Sequence, residues 1–249
     1  MAQKGRDGWA DWLLERRHGG DPEALKATME FLMPVRDRVL KNAALTGDET
    51  LLDVGAGDGL IAFGALEHVG EEGRVIFSDV SQDLLDHCRS LALQMDVLDR
   101  CEFVRAPADD LCALDDASVD AVTTRSVLIY VEDKRRAFEE FHRVLKPGGR
   151  LSIFEPINSF TYPEPPHLFG GSDVTAVADL AQKVKAIYES RQPADECPML
   201  DFDERDLFDF AERAGFEEIH LCYEARTVPG NLRDGTNDWE TALRRAPNP

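Results

Sequence analysis

The chain has 249 residues, a formal charge of −20 and 48 acidic against 28 basic side chains, with 21 arginines and 7 lysines. No basic patch stands out, which excludes tight binding to a phosphate backbone and so a nucleic-acid partner. Five cysteines (Cys88, Cys101, Cys112, Cys197, Cys222) form no C-x-x-C pair, which excludes a disulfide framework and a zinc site; no metal is expected.

The N-terminus, MAQKGRDGWADWLLERRHGGD, is charged throughout and lacks a signal-peptide core. No apolar run approaches the ~20 residues of a membrane span. A cytoplasmic protein without a membrane partner is therefore expected. Trp9 to Arg17 reads as a short amphipathic helix with Trp9, Trp12 and Leu13 on one side, ended by His18-Gly19-Gly20. Asp21-Pro22 starts a second helix, an N-cap followed by proline at the first helical position. Pro34 is expected to interrupt it before Val35 to Leu45 resumes.

From Thr50 the pattern alternates. Strands are expected at Thr50–Val54, Arg74–Phe77, Cys101–Arg105, Val119–Thr123 and Leu151–Phe154. Helices are expected at Leu60–Val69, from the Ser81 cap to Met95, and at Asp133–Leu145, the last closed by Lys146-Pro147-Gly148-Gly149. Strands separated by 10–15-residue helical patterns mean βαβ units and a parallel sheet. The rhythm then breaks. Pro156, Pro163, Pro165, Pro166, Pro193 and Pro198 surround one helical stretch, Val174–Glu189, which reads as an inserted cap. A helix at Glu204–Ala214 with Gly215 as its C-cap and a strand at Glu217–Ala225 follow, and a seventh strand is missing.

Chemistry concentrates in Leu51-Leu52-Asp53-Val54-Gly55-Ala56-Gly57-Asp58-Gly59-Leu60. A dinucleotide fingerprint is G-x-G-x-x-G, which places a pyrophosphate on the helix N-terminus. Residue 60 is Leu, so that pattern fails, and with it an NAD-dependent oxidoreductase. Asp53 precedes the first glycine by two residues. A carboxylate there repels a pyrophosphate and suits a cation or an amino group. S-adenosylmethionine (SAM) offers both, and the glycines let the backbone approach it closely. Asp79, at the tip of the second strand, can accept hydrogen bonds from a ribose diol. That serves NAD and SAM alike, so Asp79 indicates a nucleoside without choosing one.

Taken together, LLDVGAGDG, SDVS, RAPADDL, ASVDAVTTRSVLIYVED and LKPGGRLSIFEP, in that order, resemble a class I SAM-dependent methyltransferase (EC 2.1.1.-). The nearest group is the ubiquinone/menaquinone-biosynthesis-like, methyltransferase type 11-like one, which acts on small molecules. The resemblance spans roughly residues 35–156. It implies a Rossmann-like, doubly wound, mostly parallel α/β sheet with N-terminal helices. It also implies a division into a helical cap (1–45), a SAM-binding core (46–156), an inserted lid (157–200) and a C-terminal part of the core (201–249). Asp53, Gly55, Ala56, Gly57 and Gly59 would line the methionine part of SAM. Asp79 would hold the ribose, Val80 the adenine face, and Ala108 and Asp109 the adenine edge. Thr124, Arg125 and Ser126 would face the methionine end and the substrate, while Arg16, Arg17 and His18 fold over the cofactor.

In-line methyl transfer needs mainly proximity and alignment, with a base only for a protonated nucleophile. No fixed catalytic residue stands out. Tyr130, Glu155 and His167 are the candidates to contact substrate, with packing or solvent exposure as the alternative for each. Cys88, Cys101 and Cys112 admit arsenite chemistry through soft thiolates, against the plainer reading of half-buried cysteines. The expected function is methylation of a small molecule, with S-adenosylhomocysteine (SAH) as product. The alternative is a SAM- or SAH-binding chain that does not methylate and acts as a regulatory or partner subunit. A homodimer, or a partner chain completing the sheet edge, would supply the missing strand.

Overall fold

The structure, a computed structural model, describes residues 6–169 and 172–225. β1 (Thr50–Val54), β2 (Arg74–Asp79), β3 (Cys101–Arg105), β4 (Val119–Arg125) and β5 (Leu145–Phe154) form one parallel sheet, in the order β3-β2-β1-β4-β5. The order reverses direction between β1 and β4, both of which end beside the glycine turn. Ligands of open α/β sheets bind at such a switch point, outside the carboxyl ends of the strands.

Central β1 is covered on both faces, so it carries consecutive rather than alternate apolar residues: Leu51, Leu52 and Val54 are all buried. Asp53 among them is a charge the sheet does not need. α3 (Leu60–Ala65), α4 (Gln82–Gln94) and α2 (Pro22–Ala43) pack Ile61, Leu85, Cys88, Val35, Val39 and Leu40 into one core with Leu51, Val75 and Phe77. α4 is capped by Ser81, whose side chain accepts from the Leu84 N–H at 3.1 Å. α5 (Lys134–Val144) is capped by Asp133 in the same way.

Three expectations are corrected. α2 is continuous through Pro34. Pro34 and Glu30 both lie on its exposed face, where water can take the carbonyl that the proline leaves without a donor. The Lys146-Pro147-Gly148-Gly149 run does not separate helix from strand. β5 begins at Leu145, directly after α5, and the four residues form a bulge as pairing passes from Val119↔Leu145 to Ala121↔Arg150. Finally, Glu217–Ala225 forms no strand, and Leu221 and Tyr223 there are exposed. Strand propensity records packing against a sheet, and no sheet residue pairs with this stretch among the described residues. The segment from residue 226 onward lies outside the described residues.

The described residues up to Glu155 form one compact unit, and those from Pro156 onward a second. The second unit contains a short antiparallel pair, β6 (Leu168–Phe169) with β7 (Ser172–Asp173), and helices α6 (Ala178–Arg191) and α7 (Glu204–Ala214). α7 opens on a reciprocal cap between Asp203 and Asp206 and closes on Gly215 at φ 104°. Among the described residues, no helix is long and apolar enough to cross a membrane.

Candidate active site

The turn after β1 is built from left-handed backbone. Gly55, Gly57 and Gly59 have φ of 67°, 57° and 85°. At Gly55 the need for glycine is also steric, since a Cβ there would lie 2.2 Å from Val127 Cγ2. The turn is tied to the tip of β2. The Ala56 N–H donates to the Ser78 carbonyl at 2.9 Å, and the Gly57 N–H to Asp79 Oδ2 at 2.9 Å. Asp79 Oδ1 accepts from the Ser81 N–H at 2.9 Å. Burial raises the Asp79 pKa, against these hydrogen bonds. The Val80 N–H acts on the same carboxylate.

Asp53 is 2% exposed. Its Oδ1 accepts from Thr123 Oγ1 at 2.8 Å. Its Oδ2 is buried and receives no hydrogen bond of normal geometry among the described residues; Thr124 Oγ1 and Ser78 Oγ share that condition. Burial pushes the Asp53 carboxyl up to about 7, opposed by the Thr123 hydrogen bond, the Arg125 charge and the Ala62 N–H. A buried acceptor left without a donor is costly, and a ligand N–H would remove that cost.

The other expected cofactor residues follow the carboxyl ends of the neighbouring strands. Val80 follows β2 and is 43% exposed, an apolar surface at the site's rim. Ala108 is buried and Asp109 half-buried after β3, where the Ala106 N–H donates to the Asp79 carbonyl at 3.1 Å. Arg125 ends β4. Ser126 follows at φ 56°, its N–H donating to the Phe154 carbonyl at 2.8 Å.

Of the three substrate-contacting candidates, Glu155 is the best defined. Its carboxylate accepts from the N–H groups of Val127 at 2.8 Å, Leu128 at 3.0 Å and Ile129 at 3.4 Å. It thus fixes the loop after β4, and burial raises its pKa to about 7. Tyr130 packs edge-on against Trp9, with ring centroids 4.9 Å apart. His167 is exposed and belongs to the second unit.

The N-terminal segment contributes Asp7, which sequence reasoning did not single out, and a seat for Leu13 that it did not foresee. It is a short helix, α1 (Gly8–Asp11), followed by a wider π-type turn over Trp12–Arg16. Asp7 accepts from Ser81 Oγ at 2.7 Å, and its N–H donates to Asp83 Oδ2 at 2.6 Å. Leu13 packs over the glycine turn, its Cδ2 lying 3.1 Å from where a Gly57 Cβ would sit. The available signal was two tryptophans in an otherwise charged stretch.

The model of the Methyltransferase domain family matches residues 52–153. The ubiquinone/menaquinone biosynthesis C-methyltransferase UbiE of Brucella anthropi is 30% identical over 191 residues, covering 77% of this chain and 70% of that protein. An arsenite methyltransferase of Halobacterium salinarum is 32% identical over 122 residues, covering 49% of this chain. The chain spans only 31% of that relative's length. Among solved structures, a chain of the Haloferax volcanii complex between the Trm112 methyltransferase activator and a methyltransferase superposes with a TM-score of 0.62. It is 19% identical and covers 97% of this chain and 93% of its own, a likeness of fold. With the strand order, the glycine turn and the buried acid all in place, the chain belongs to the class I SAM-dependent methyltransferases of the UbiE-like type.

Proposed function

We propose that the chain transfers a methyl group to a small-molecule acceptor by in-line displacement, with SAM as donor and SAH as product. The observation that carries this reading is the buried Asp53 Oδ2, which receives no hydrogen bond of normal geometry among the described residues, beside a glycine turn. It fits the amino group of an amino-acid cofactor and is incompatible with a pyrophosphate. When bound, SAM supplies a methyl group already activated on a sulfonium. Asp53 would take its amino group, and the Asp79 carboxylate would accept from the ribose hydroxyls. The exposed face of Val80 would pack on the adenine, with Ala108 and Asp109 at its edge. The backbone of Gly55, Ala56, Gly57 and Gly59, together with Arg125 and Ser126, would surround the methionine end. Because Glu155 anchors three backbone N–H groups, its part is to hold the loop that carries Tyr130.

The thiols argue against an acceptor held by thiolates. Burial raises the Cys88 pKa well above the ordinary thiol range, and its Sγ donates to the Gly57 carbonyl at 3.3 Å. Burial likewise pushes Cys101 up to about 11. Both stay protonated at neutral pH. Cys112, exposed, is raised by its hydrogen bond to Asp110.

A second reading, cofactor binding without transfer inside a complex, draws on the sheet edge. Among the described residues β5 pairs only with β4, which leaves an edge that a second copy or a partner chain could complete. Incubation with radiolabelled SAM and a panel of metabolites separates the two readings. Label appearing in an acceptor supports transfer. Calorimetric SAH binding with no labelled product from any acceptor supports the second reading. SAH affinity unchanged in Asp79→Ala would overturn the site assignment.

A further inference from the structure

We infer that the outer edge of β3 is a docking surface for a basic partner strand, which puts an apolar side chain into a cleft at the amino end of β3. Among the described residues β3 pairs only with β2, in unbroken register from Cys101 to Arg105. Backbone groups of a strand face its two neighbours alternately. The Ala106 N–H donates inward, to the Asp79 carbonyl. Val104 and Glu102 therefore also face β2, and the N–H and carbonyl groups of Phe103 and Arg105 face outward. The opposite edge strand, β5, is interrupted by the bulge at 146–149, which contains Pro147. β3 has neither device, so its edge is a regular template for another strand.

A cleft of about 420 Å³ lies where the chain enters β3, lined by Leu93, Asp96, Leu98 and Asp99. Leu93 belongs to the last turn of α4, and Leu98 and Asp99 to the single 3₁₀ turn (Leu98–Arg100) that runs directly into Cys101. Asp96, at φ 58°, turns the chain between them. Leu93 is 67% exposed, more than any other large apolar side chain among the described residues, and Met95 is 53% exposed. One exposed leucine is ordinary. Two such side chains within three residues, next to a cleft and an unpaired strand edge, mark a binding surface.

The charges select the partner. Asp96, Asp99 and Glu102 form no ion pair among the described residues. The neighbouring arginines are engaged elsewhere. Arg100 donates to the carbonyls of Leu66, Val69, Gly70 and Gly73. Arg105 donates to the Val80 carbonyl at 3.0 Å, and the Arg89 guanidinium lies 4.6 Å from the centroid of the Phe103 ring. Two leucines and two carboxylates without counter-ions fit an apolar side chain flanked by Lys or Arg, carried on an added strand. A second copy of this chain would bring the same acids and a further charge of −20. It is repelled where a basic strand is attracted.

The test selects a display library of random linear peptides on the intact chain, with Leu93→Ser as counter-selection. Enriched peptides are synthesised and titrated into wild type, Leu93→Ser and the double variant Asp96→Asn with Asp99→Asn; Asn tolerates the left-handed backbone at 96. Thermal melts confirm that each variant is folded. The expected result is enrichment of sequences that alternate apolar residues with Lys or Arg, bound about tenfold or more weakly by each variant. In the complex, amide exchange should slow at Phe103 and Arg105 and stay unchanged at Glu102 and Val104. Binding that neither variant weakens, protection confined to other residues, or a selection that enriches nothing overturns the inference. Sedimentation of the wild type alone supplies the remaining outcome: a dimer that Leu93→Ser dissolves assigns the edge to a second copy and overturns the basic partner.

Discussion

Asp53 is held between Leu52 and Val54 in the central strand, at 2% exposure, where an ionised carboxylate costs stability. Its carboxyl is raised to about 7 in the fold, against about 4 in an unfolded chain. The folded state therefore binds this proton more tightly. The group's favourable contribution is complete below about pH 4 and is lost as pH rises through 4 to 7. Asp53→Asn keeps an oxygen for Thr123 and removes the titration. Its urea midpoint is expected to fall less between pH 5 and pH 8 than that of wild type; an equal fall would show that Asp53 is not strained. Glu155, also raised to about 7, leaves a residual fall of the same sign. Gly55 has a steeper requirement. With φ at 67° and Val127 Cγ2 at 2.2 Å from a notional Cβ, Gly55→Ala is expected to cost about 2 kcal/mol or more by chemical denaturation. These residues were legible because their meaning is local: an acid in an apolar strand, then glycines at alternate positions. The contacts of Asp7 and Leu13 were not, because nothing in residues 7–13 says that the chain returns to the turn at 55–59 and the cap at 81. Glu155 was legible as a polar residue at a strand end, but its hydrogen-bonding to 127–129 was not.

Helix starts were the most readable elements. Asp21, Ser81 and Asp133 each accept from a backbone N–H in the first turn of their helix, and Gly215 closes α7. Caps are chemistry between near neighbours, so sequence carries them. The misread elements depend on what lies across from them: water beside Pro34, β4 beside the 146–149 bulge, and no pairing strand for 217–225. α5 shows how an element is fastened at longer range. Glu140, nearly fully buried, accepts from Arg136 at 2.7 Å, from Arg143 at 2.8 and 3.0 Å, and from the Leu111 N–H at 2.8 Å. Glu140→Ala removes four acceptor contacts and leaves Arg143 with only Asp116 and two carbonyls. A loss of about 2 kcal/mol or more is expected in equilibrium unfolding. A loss below 0.5 kcal/mol would mean that solvent replaces the network.

At the scale of the molecule, a charge of −20 repels itself in the compact state more than in the expanded one. Raising salt from about 0.05 M to about 1 M shortens the screening length to ~3 Å and relieves that repulsion. The melting temperature is expected to rise by roughly 5 °C; a flat or falling trend would show that the arginine–carboxylate networks dominate instead. The parallel sheet followed from the alternation of apolar runs, a global regularity that survives local errors; the order of its strands was not read from that alternation. The boundary at Pro156 coincides with the break in that rhythm, where the prolines begin.

The seating of Leu13 over Gly57, with Trp9 on Tyr130 and Asp7 on Ser81, has a kinetic meaning. If the proposed cofactor binds at the glycine turn, residues 7–17, which lie against it, are expected to lift first, and entry would be gated. In rapid mixing with SAH, the observed association rate should climb with concentration and then level off at the opening rate of the segment. Leu13→Ala, which loosens the latch without touching Asp53 or Asp79, should raise that ceiling and shorten the residence time together. A rate that climbs linearly without limit in both proteins would mean that the gate stands open.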